Sequence, residues 1–444
     1  MLAVLAQRTY RHLFLAQVVA LVGTGLLTVA LGLLAYELAG EAAGQVLGTA
    51  LAIKMVAYIT IAPVVGAFAS RLPRRAFLVA MDIVRAAIAL VLPFVTEIWQ
   101  VYVLIFLLQS ASAAFTPTFQ ATIPDILPDE ETYTKALSLS RLAYDMESLT
   151  SPMIAAALLT VISFNGLFAG TSVGFVASAL LVVTSGLVVQ RATGPQQGSV
   201  FERTTRGIRI YLATPRLVGL LAITLSAAAA GAMVIVNTVV IVREELGLSQ
   251  TAYAIALGAY GLGSMLVALS ISSILKRLSD RSALLLASVA LTLLLGVLAS
   301  LSFTVGFRWP LVLAGWFLLG AAYSLSVTPS GRLLRRSSHS DNRPAVFAAQ
   351  FALSHACWLI AYPLVGWIGA AWGQGAALAG MCLLSAIGAL LALVVWPASD
   401  AERVEHTHDD LPPDHPHLRE GHQQGQPVHP FIIDELHTRW PRAT

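Results

Sequence analysis

The stretch Val56-Ala57-Tyr58-Ile59-Thr60-Ile61-Ala62-Pro63-Val64-Val65-Gly66-Ala67-Phe68-Ala69-Ser70, followed at once by Arg71-Leu72-Pro73-Arg74-Arg75, decides how the chain folds. It closes an apolar run over 46–70, long enough to cross the roughly 20-residue hydrocarbon layer as a helix, and it stops abruptly in three arginines. Apolar runs of this length recur along most of the chain. Their expected spans are 13–36, 46–70, 76–96, 99–120, 142–163, 166–190, 217–242, 250–275, 282–304, 308–328, 347–369 and 373–396. In lipid, every backbone polar group must be paired within its own segment, so these spans are helices rather than strands. Composition agrees: 57% of residues are hydrophobic and 11% charged, against about 25% charged in soluble domains. Mean hydropathy is +0.75. The fold class expected is an all-α membrane protein of twelve transmembrane helices.

Arginine and lysine orient the bundle. With the N-terminus placed in the cytoplasm, all but four of the 27 basic residues fall in cytoplasmic segments. Arg243 and Arg308 lie on the other side, and Lys54 and Arg85 lie within helices. Such bias over short loops is the positive-inside signal. It places the protein in the inner membrane with both termini cytoplasmic, and Arg8 and Arg11 precede a retained first helix rather than a cleaved leader. The expected domains are an N-terminal six-helix bundle (1–190), a cytoplasmic connector (191–216), a C-terminal six-helix bundle (217–396) and a cytoplasmic tail (397–444).

The two halves echo each other. Arg71-Leu72-Pro73-Arg74-Arg75 recurs as Arg277-Leu278-Ser279-Asp280-Arg281, and Ala113-Ala114-Phe115 as Ala321-Ala322-Tyr323. Paired bundles of this kind bind solute near the midplane, between the repeats. On these residues the chain resembles the major facilitator superfamily over residues 1–396. The signature there runs roughly Gly-x-x-x-Asp-Arg-x-Gly-Arg-Arg. This chain supplies Gly66, Arg71, Arg74 and Arg75 as a gate loop, with Ser70 where the pattern has aspartate and Pro73 where it has the second glycine. The stretches Ser140–Asp145 and Thr328–Arg336 look like the nickel-resistance, siderophore and drug exporter branch. That resemblance implies a secondary transporter working as a monomer.

Charges within the membrane are the candidate transport residues, since each costs about 2.5–3.5 kcal/mol at a helix centre on insertion scales. Lys54 either snorkels to the outer headgroups or faces a cavity. Asp82 and Arg85 share a helical face, as an ion pair locking against the Arg71–Arg75 loop or as a purely structural pair. Arg141 and Asp145 also share a face, read as an interfacial pair at the cytoplasmic start of the fifth span. Glu147 has no local partner. Either it or Asp145 is the candidate proton carrier. His355 is a hydrogen-bonded packing residue or, in the alternative, a ligand or proton acceptor on the transport path. Cys357 and Cys382 read as small core residues.

The tail gathers His406, His408, His415, His417, His422, His429 and His437 among aspartates, with prolines that forbid a regular helix. Imidazole and carboxylate together suit nickel, cobalt or zinc, and the alternative is a solvated tail without ligands. Phe431-Ile432-Ile433 and Trp440 are candidates to dock on the membrane or on the transporter body.

No phosphate-cradling Gly-x-x-x-x-Gly-Lys sequence exists, since none of the three lysines follows a glycine, and no His-Glu-x-x-His is present. The chain is therefore expected not to be an enzyme, to need no cofactor and to bind no nucleic acid. Its partners are membrane lipid, a small solute or cation, and protons as coupling ion. The expected function is proton-coupled export of a divalent cation such as nickel or cobalt. Export of an organic compound, a drug or siderophore, is the alternative, and a non-transporting metal sensor a third reading.

Overall fold

A computed structural model describes the chain except residues 1, 40–42, 70–71, 188–199, 399–402, 406–421, 424–425, 434–436, 438–439 and 441–444. The first half comprises α1 (Arg8–Ala39), α2 (Ala43–Ala69), α3 (Arg74–Val91), α4 (Ile98–Ile126), α5 (Glu130–Leu159) and α6 (Phe164–Thr184). A shorter helix, α7 (Val200–Ala213), lies in the connector. The second half holds α8 (Pro215–Val240), α9 (Gln250–Leu275), α10 (Asp280–Thr304), α11 (Trp309–Val327), the short α12 (Ser330–Arg336), α13 (Arg343–Trp372) and α14 (Gln374–Val395). Among the described residues eleven helices are long and apolar enough to span a membrane. The twelfth, α5, is 30 residues long but carries Glu130, Glu131, Lys135, Arg141, Asp145 and Glu147.

Contacts within the halves repeat element for element. In the first, α1 packs on α6 and α5, α3 on α6 and α4, and α2 on α4. In the second, α8 packs on α14 and α13, α10 on α14 and α11, and α9 on α11. The junction obeys the same symmetry, with α2 against α13 and α9 against α5. With no water to drive helices together, close backbone approach at small residues does that work. Gly66 shows it between the halves: a Cβ there would lie 2.6 Å from the Ala348 Cβ and 3.3 Å from the Pro344 carbonyl oxygen. Gly263 and Gly320 show it within the second half, where a Cβ would run into the Phe317 and Tyr260 carbonyl oxygens respectively.

Two sequence expectations need correction. Helix α5 begins at Glu130, twelve residues before the span expected at 142, because polar residues nucleate it. Asp129 caps it, its carboxylate accepting from the Thr132 amide at 2.8 Å. Glu130 and Glu131 fill the first turn, where the helix dipole favours acids. The connector is not all loop, since α7 packs on α13 and α2. In the tail, Phe431, Ile432 and Ile433 are buried in the protein, the transporter body being one of the two docking surfaces expected for them. The described parts of that tail include short strands, Arg403–Glu405, His422–Gln423 and Gln426–Pro430, and no helix occurs among them, in keeping with the prolines.

Candidate functional site

The face carrying α12 and the ends of α4 and α9 is the basic face, and there the halves are tied by charge. Asp125, at the end of α4, takes Arg74 from its own half and Arg343 from the other. Arg332 of α12 pairs with Glu130 and donates to the Thr134 hydroxyl at 2.8 Å. Arg335 donates to the Pro128 carbonyl. Lys276 reaches Glu131 at 3.2 Å, which Lys135 also holds at 2.9 Å. These bonds hold the Glu131 carboxyl below its ordinary value. Asp280 at the start of α10 anchors Arg332 at 3.0 Å and Arg336 at 3.3 Å. The halves thus use mirrored polarity: arginine opens α3 and an acid ends α4, while an acid opens α10 and arginines follow α11.

Beyond that seal lies a cavity of about 520 Å³ between the halves. Its first-half wall carries Gln17 from α1, Lys54 and Tyr58 from α2, Arg85 from α3, Gln109 and Phe115 from α4, and Arg141, Tyr144 and Glu147 from α5. The second half contributes Thr224, Tyr323, Gln350, Phe351, Ser354, His355 and Trp358. A smaller space of about 230 Å³ shares Gln17, Gln120, Arg141 and Gln350 and runs towards the seal, ending at Tyr133.

The candidate residues fall into distinct settings. Lys54 faces the cavity, its ammonium 5.5 Å above the Tyr58 ring. Glu147 lies on the same wall within electrostatic reach of Lys54. Asp82 and Arg85 pair deep in the first half, at 0% and 5% exposure. Asp82 also accepts from the Ser178 hydroxyl at 2.8 Å, and the guanidinium sits between the Phe115 and Phe175 rings at 4.3 and 4.4 Å. The expected lock of this pair on the Arg71–Arg75 loop is replaced by a different contact: Arg74 goes to Asp125 instead. Arg75 is exposed, and Arg71 lies outside the described residues.

Arg141 and Asp145 are likewise not interfacial. Because α5 starts early, Arg141 stands about 16 Å along the helix by helical rise. The pair binds across the junction to Ser264 of α9, which donates to Asp145 at 2.6 Å and accepts from Arg141 at 3.1 Å. Arg141 also stacks 4.9 Å over the Tyr323 ring. His355 packs against Phe351 and Tyr58 at 4.3 and 4.6 Å, its Nδ1 2.7 Å from the Phe351 carbonyl oxygen. Cys357 is buried and Cys382 half-buried, both free.

Of the tail histidines, His406, His408, His415 and His417 lie outside the described residues. His422 and His429 lie in strands, and His437 meets the Phe431 ring at 4.6 Å. Among the described residues no three of His, Cys, Asp and Glu converge as a metal cage would require.

Sequence reading missed Asp125 and Asp280, the acids that organise the basic face. Asp125 had a signal: Ser70 leaves the gate loop without its acid, and Pro124-Asp125 places one just where the neighbouring helix ends. Ser264 had none, since an uncharged serine in an apolar helix announces nothing until its partner is known.

Comparison with known proteins gives this architecture its context. The Major Facilitator Superfamily model matches residues 13–304 and again 219–431. The uncharacterised MFS-type transporter YvqJ of Bacillus subtilis (strain 168) is 24% identical over 421 residues, covering 89% of this chain and 94% of that protein. Macrolide efflux protein A of Streptococcus pyogenes is 27% identical over 171 residues, 37% of this chain and 42% of its own length. Among solved structures, a bacterial homologue of the iron transporter ferroportin in its outward-facing state superposes with a TM-score of 0.73 at 14% identity, covering 87% of this chain and 98% of that one. The human organic anion transporter MFSD10 (TETRAN) gives 0.68 at 13% identity, with 87% and 99% covered. At such identities these two likenesses concern the fold alone. The repeated helix contacts, the cavity at the junction and a family match over most of the residues lead to one statement: the chain belongs to the Major Facilitator Superfamily, whose members are multi-pass membrane transporters.

Proposed function

We propose that the protein is a proton-coupled exporter of amphipathic organic compounds, acting as a monomer in the inner membrane with its basic face and both termini in the cytoplasm. The observation that carries this reading is the cavity wall. Tyr58, Phe115, Tyr144, Tyr323, Phe351 and Trp358 offer aromatic surface, and Gln17, Gln109 and Gln350 offer adaptable hydrogen bonds, the mixture typical of pockets for small organic molecules. A bare divalent cation wants several oxygen or nitrogen ligands. The cavity presents Glu147 and His355, while Asp145 is held by Arg141 and Ser264. The partial likeness to macrolide efflux proteins favours outward movement of organic solute.

In this reading Glu147 carries the coupling proton. The sealed basic face makes this the state that releases solute outwards. There the Glu147 carboxylate takes a proton from outside, its attraction for Lys54 or for a cationic solute ends, and the solute leaves. Rocking then breaks the Asp125, Glu130 and Glu131 pairs and exposes the cavity to the cytoplasm, where the proton departs and new solute binds.

A second reading, export of nickel or cobalt, is favoured by the seven histidines in residues 406–437. Everted vesicles energised with a proton gradient separate the two. Gradient-dependent accumulation of a macrolide or a lipophilic amine, with no accumulation of radiolabelled nickel or cobalt, is expected. Accumulation of the metal without any organic solute would overturn the proposal in favour of the second reading.

A further inference from the structure

The tail, through Phe431 and Trp440, is tied to the helix that seals the basic face. Phe431, Ile432 and Ile433 are buried in succession. Phe431 and Ile433 join an apolar cluster with Tyr211 of α7, Leu217 of α8, Leu284 of α10 and Leu333 of α12. The Phe431 ring also meets Trp440 at 5.1 Å. Arg216, in the first turn of α8 and only 2% exposed, pins this arrangement. It donates to the Phe431 carbonyl at 3.2 Å and lies under the Trp440 ring, 5.1 Å from its centre. The same guanidinium donates to the Ser337 hydroxyl at 2.8 Å and points to the Arg336 carbonyl at 3.5 Å. Arg336 and Ser337 end α12, the helix whose Arg332 and Arg335 reach across to α5 and the chain before it.

One buried cation therefore joins the tail to the arm that closes the carrier. Burying a guanidinium is costly without partners, and two of the partners of Arg216 belong to the tail: a carbonyl and an aromatic face. Losing them loosens the side chain that holds the end of α12. We infer that Phe431, Ile432, Ile433 and Trp440 are a regulatory latch. Docked in the groove between α7, α8, α10 and α12, they hold α12 against α5 and favour the state closed at the basic face; undocked, they let that face open. The ligand of the groove is this chain's own tail. The inference is independent of which solute is carried.

The test uses full-length protein with Cys357→Ala and Cys382→Ala and spin labels at Leu72→Cys and Leu278→Cys. These are exposed, repeat-related positions on the two halves. Distances are measured by pulsed electron paramagnetic resonance in lipid nanodiscs. The full chain is expected to populate mainly the short distance. Truncation after Pro430 should reduce that population at least twofold, and a synthetic peptide of residues 427–444 should restore it. The same peptide with Phe431→Ala and Trp440→Ala should not. Phe431→Ala in the full-length chain, which guards against a truncated chain that fails to fold, should shift the population in the same direction. Unchanged distances in both altered chains, or equal action of the two peptides, would overturn the latch.

Discussion

The two halves share one plan of helix contacts, yet they differ sharply in what they bury. The first half places Lys54, Asp82, Arg85, Arg141, Asp145 and Glu147 within its helices, whereas the second half brings His355 and Tyr323 to the cavity. The second half keeps its buried charges, Arg216 and Asp280, at the basic face and fills its interior with small residues such as Ala227, Ala228, Ala229 and Ala230. Among its interior polar bonds, Ser288 donates to Ser226 at 2.8 Å, Thr292 meets Ser385 at 2.8 Å and the Trp316 indole donates to Thr238 at 2.7 Å. A duplicated scaffold thus divides labour, with charge chemistry on one side and a close-packed aromatic and hydroxyl wall on the other.

The largest effect that would sharpen this contrast lies in the first half. Arg85→Met leaves the fully buried Asp82 carboxylate with Ser178 as its hydrogen-bond donor among the described residues. A stranded charge of this kind costs about 3–5 kcal/mol, so thermal unfolding in detergent should drop strongly. Adding Asp82→Asn should recover most of the loss, whereas an unaffected Arg85→Met would show that the pair is not structural. Next comes the junction. Ser264→Ala removes the second-half donor to Asp145, a bond to a charged group worth about 1.5–3 kcal/mol. The closed basic-face population, read by the same spin labels, should fall. A third change probes the second half through packing alone: Gly320→Ala forces a methyl into the Tyr260 carbonyl, and overpacking costs about 1–3 kcal/mol. Unchanged stability there would argue that α9 and α11 are looser than their geometry states.

The smallest effect concerns pH. Glu131 is held below its ordinary value by the hydrogen bonds from Lys135 and Lys276. Its contribution to the seal is therefore complete above the ordinary glutamate value of about 4.3 and is lost as pH falls through the depressed one. The stability difference between wild type and Glu131→Gln should shrink to nothing at low pH. A difference that grows on acidification would reverse the assignment. Because the group is exposed, the effect is small.

Sequence carried the helices, their number and the repeat, because hydrocarbon thickness and backbone pairing leave few choices. It failed where polar residues belong to a membrane helix. The expected start at 142 leaves Glu130, Glu131 and Lys135 outside the span, although Pro128-Asp129-Glu130-Glu131 is a helix-start pattern. That error moved Arg141 and Asp145 from the midplane to the surface. Lys54 and Glu147 were visible as charges, but their common wall depends on how α2 and α5 are rotated, which a single sequence does not encode. The pairing of Arg74 with Asp125 joins residues 51 positions apart, and that of Arg343 with Asp125 joins residues 218 apart. Neither follows from local spacing.

The division of labour is tested most directly by proton-gradient-driven accumulation of a lipophilic amine in inside-out proteoliposomes, comparing Glu147→Gln with His355→Gln. The account predicts that Glu147→Gln abolishes gradient-driven accumulation while retaining solute exchange at equilibrium, and that His355→Gln keeps both. Full accumulation by Glu147→Gln, or its loss in His355→Gln, would contradict the placing of proton coupling in the first half.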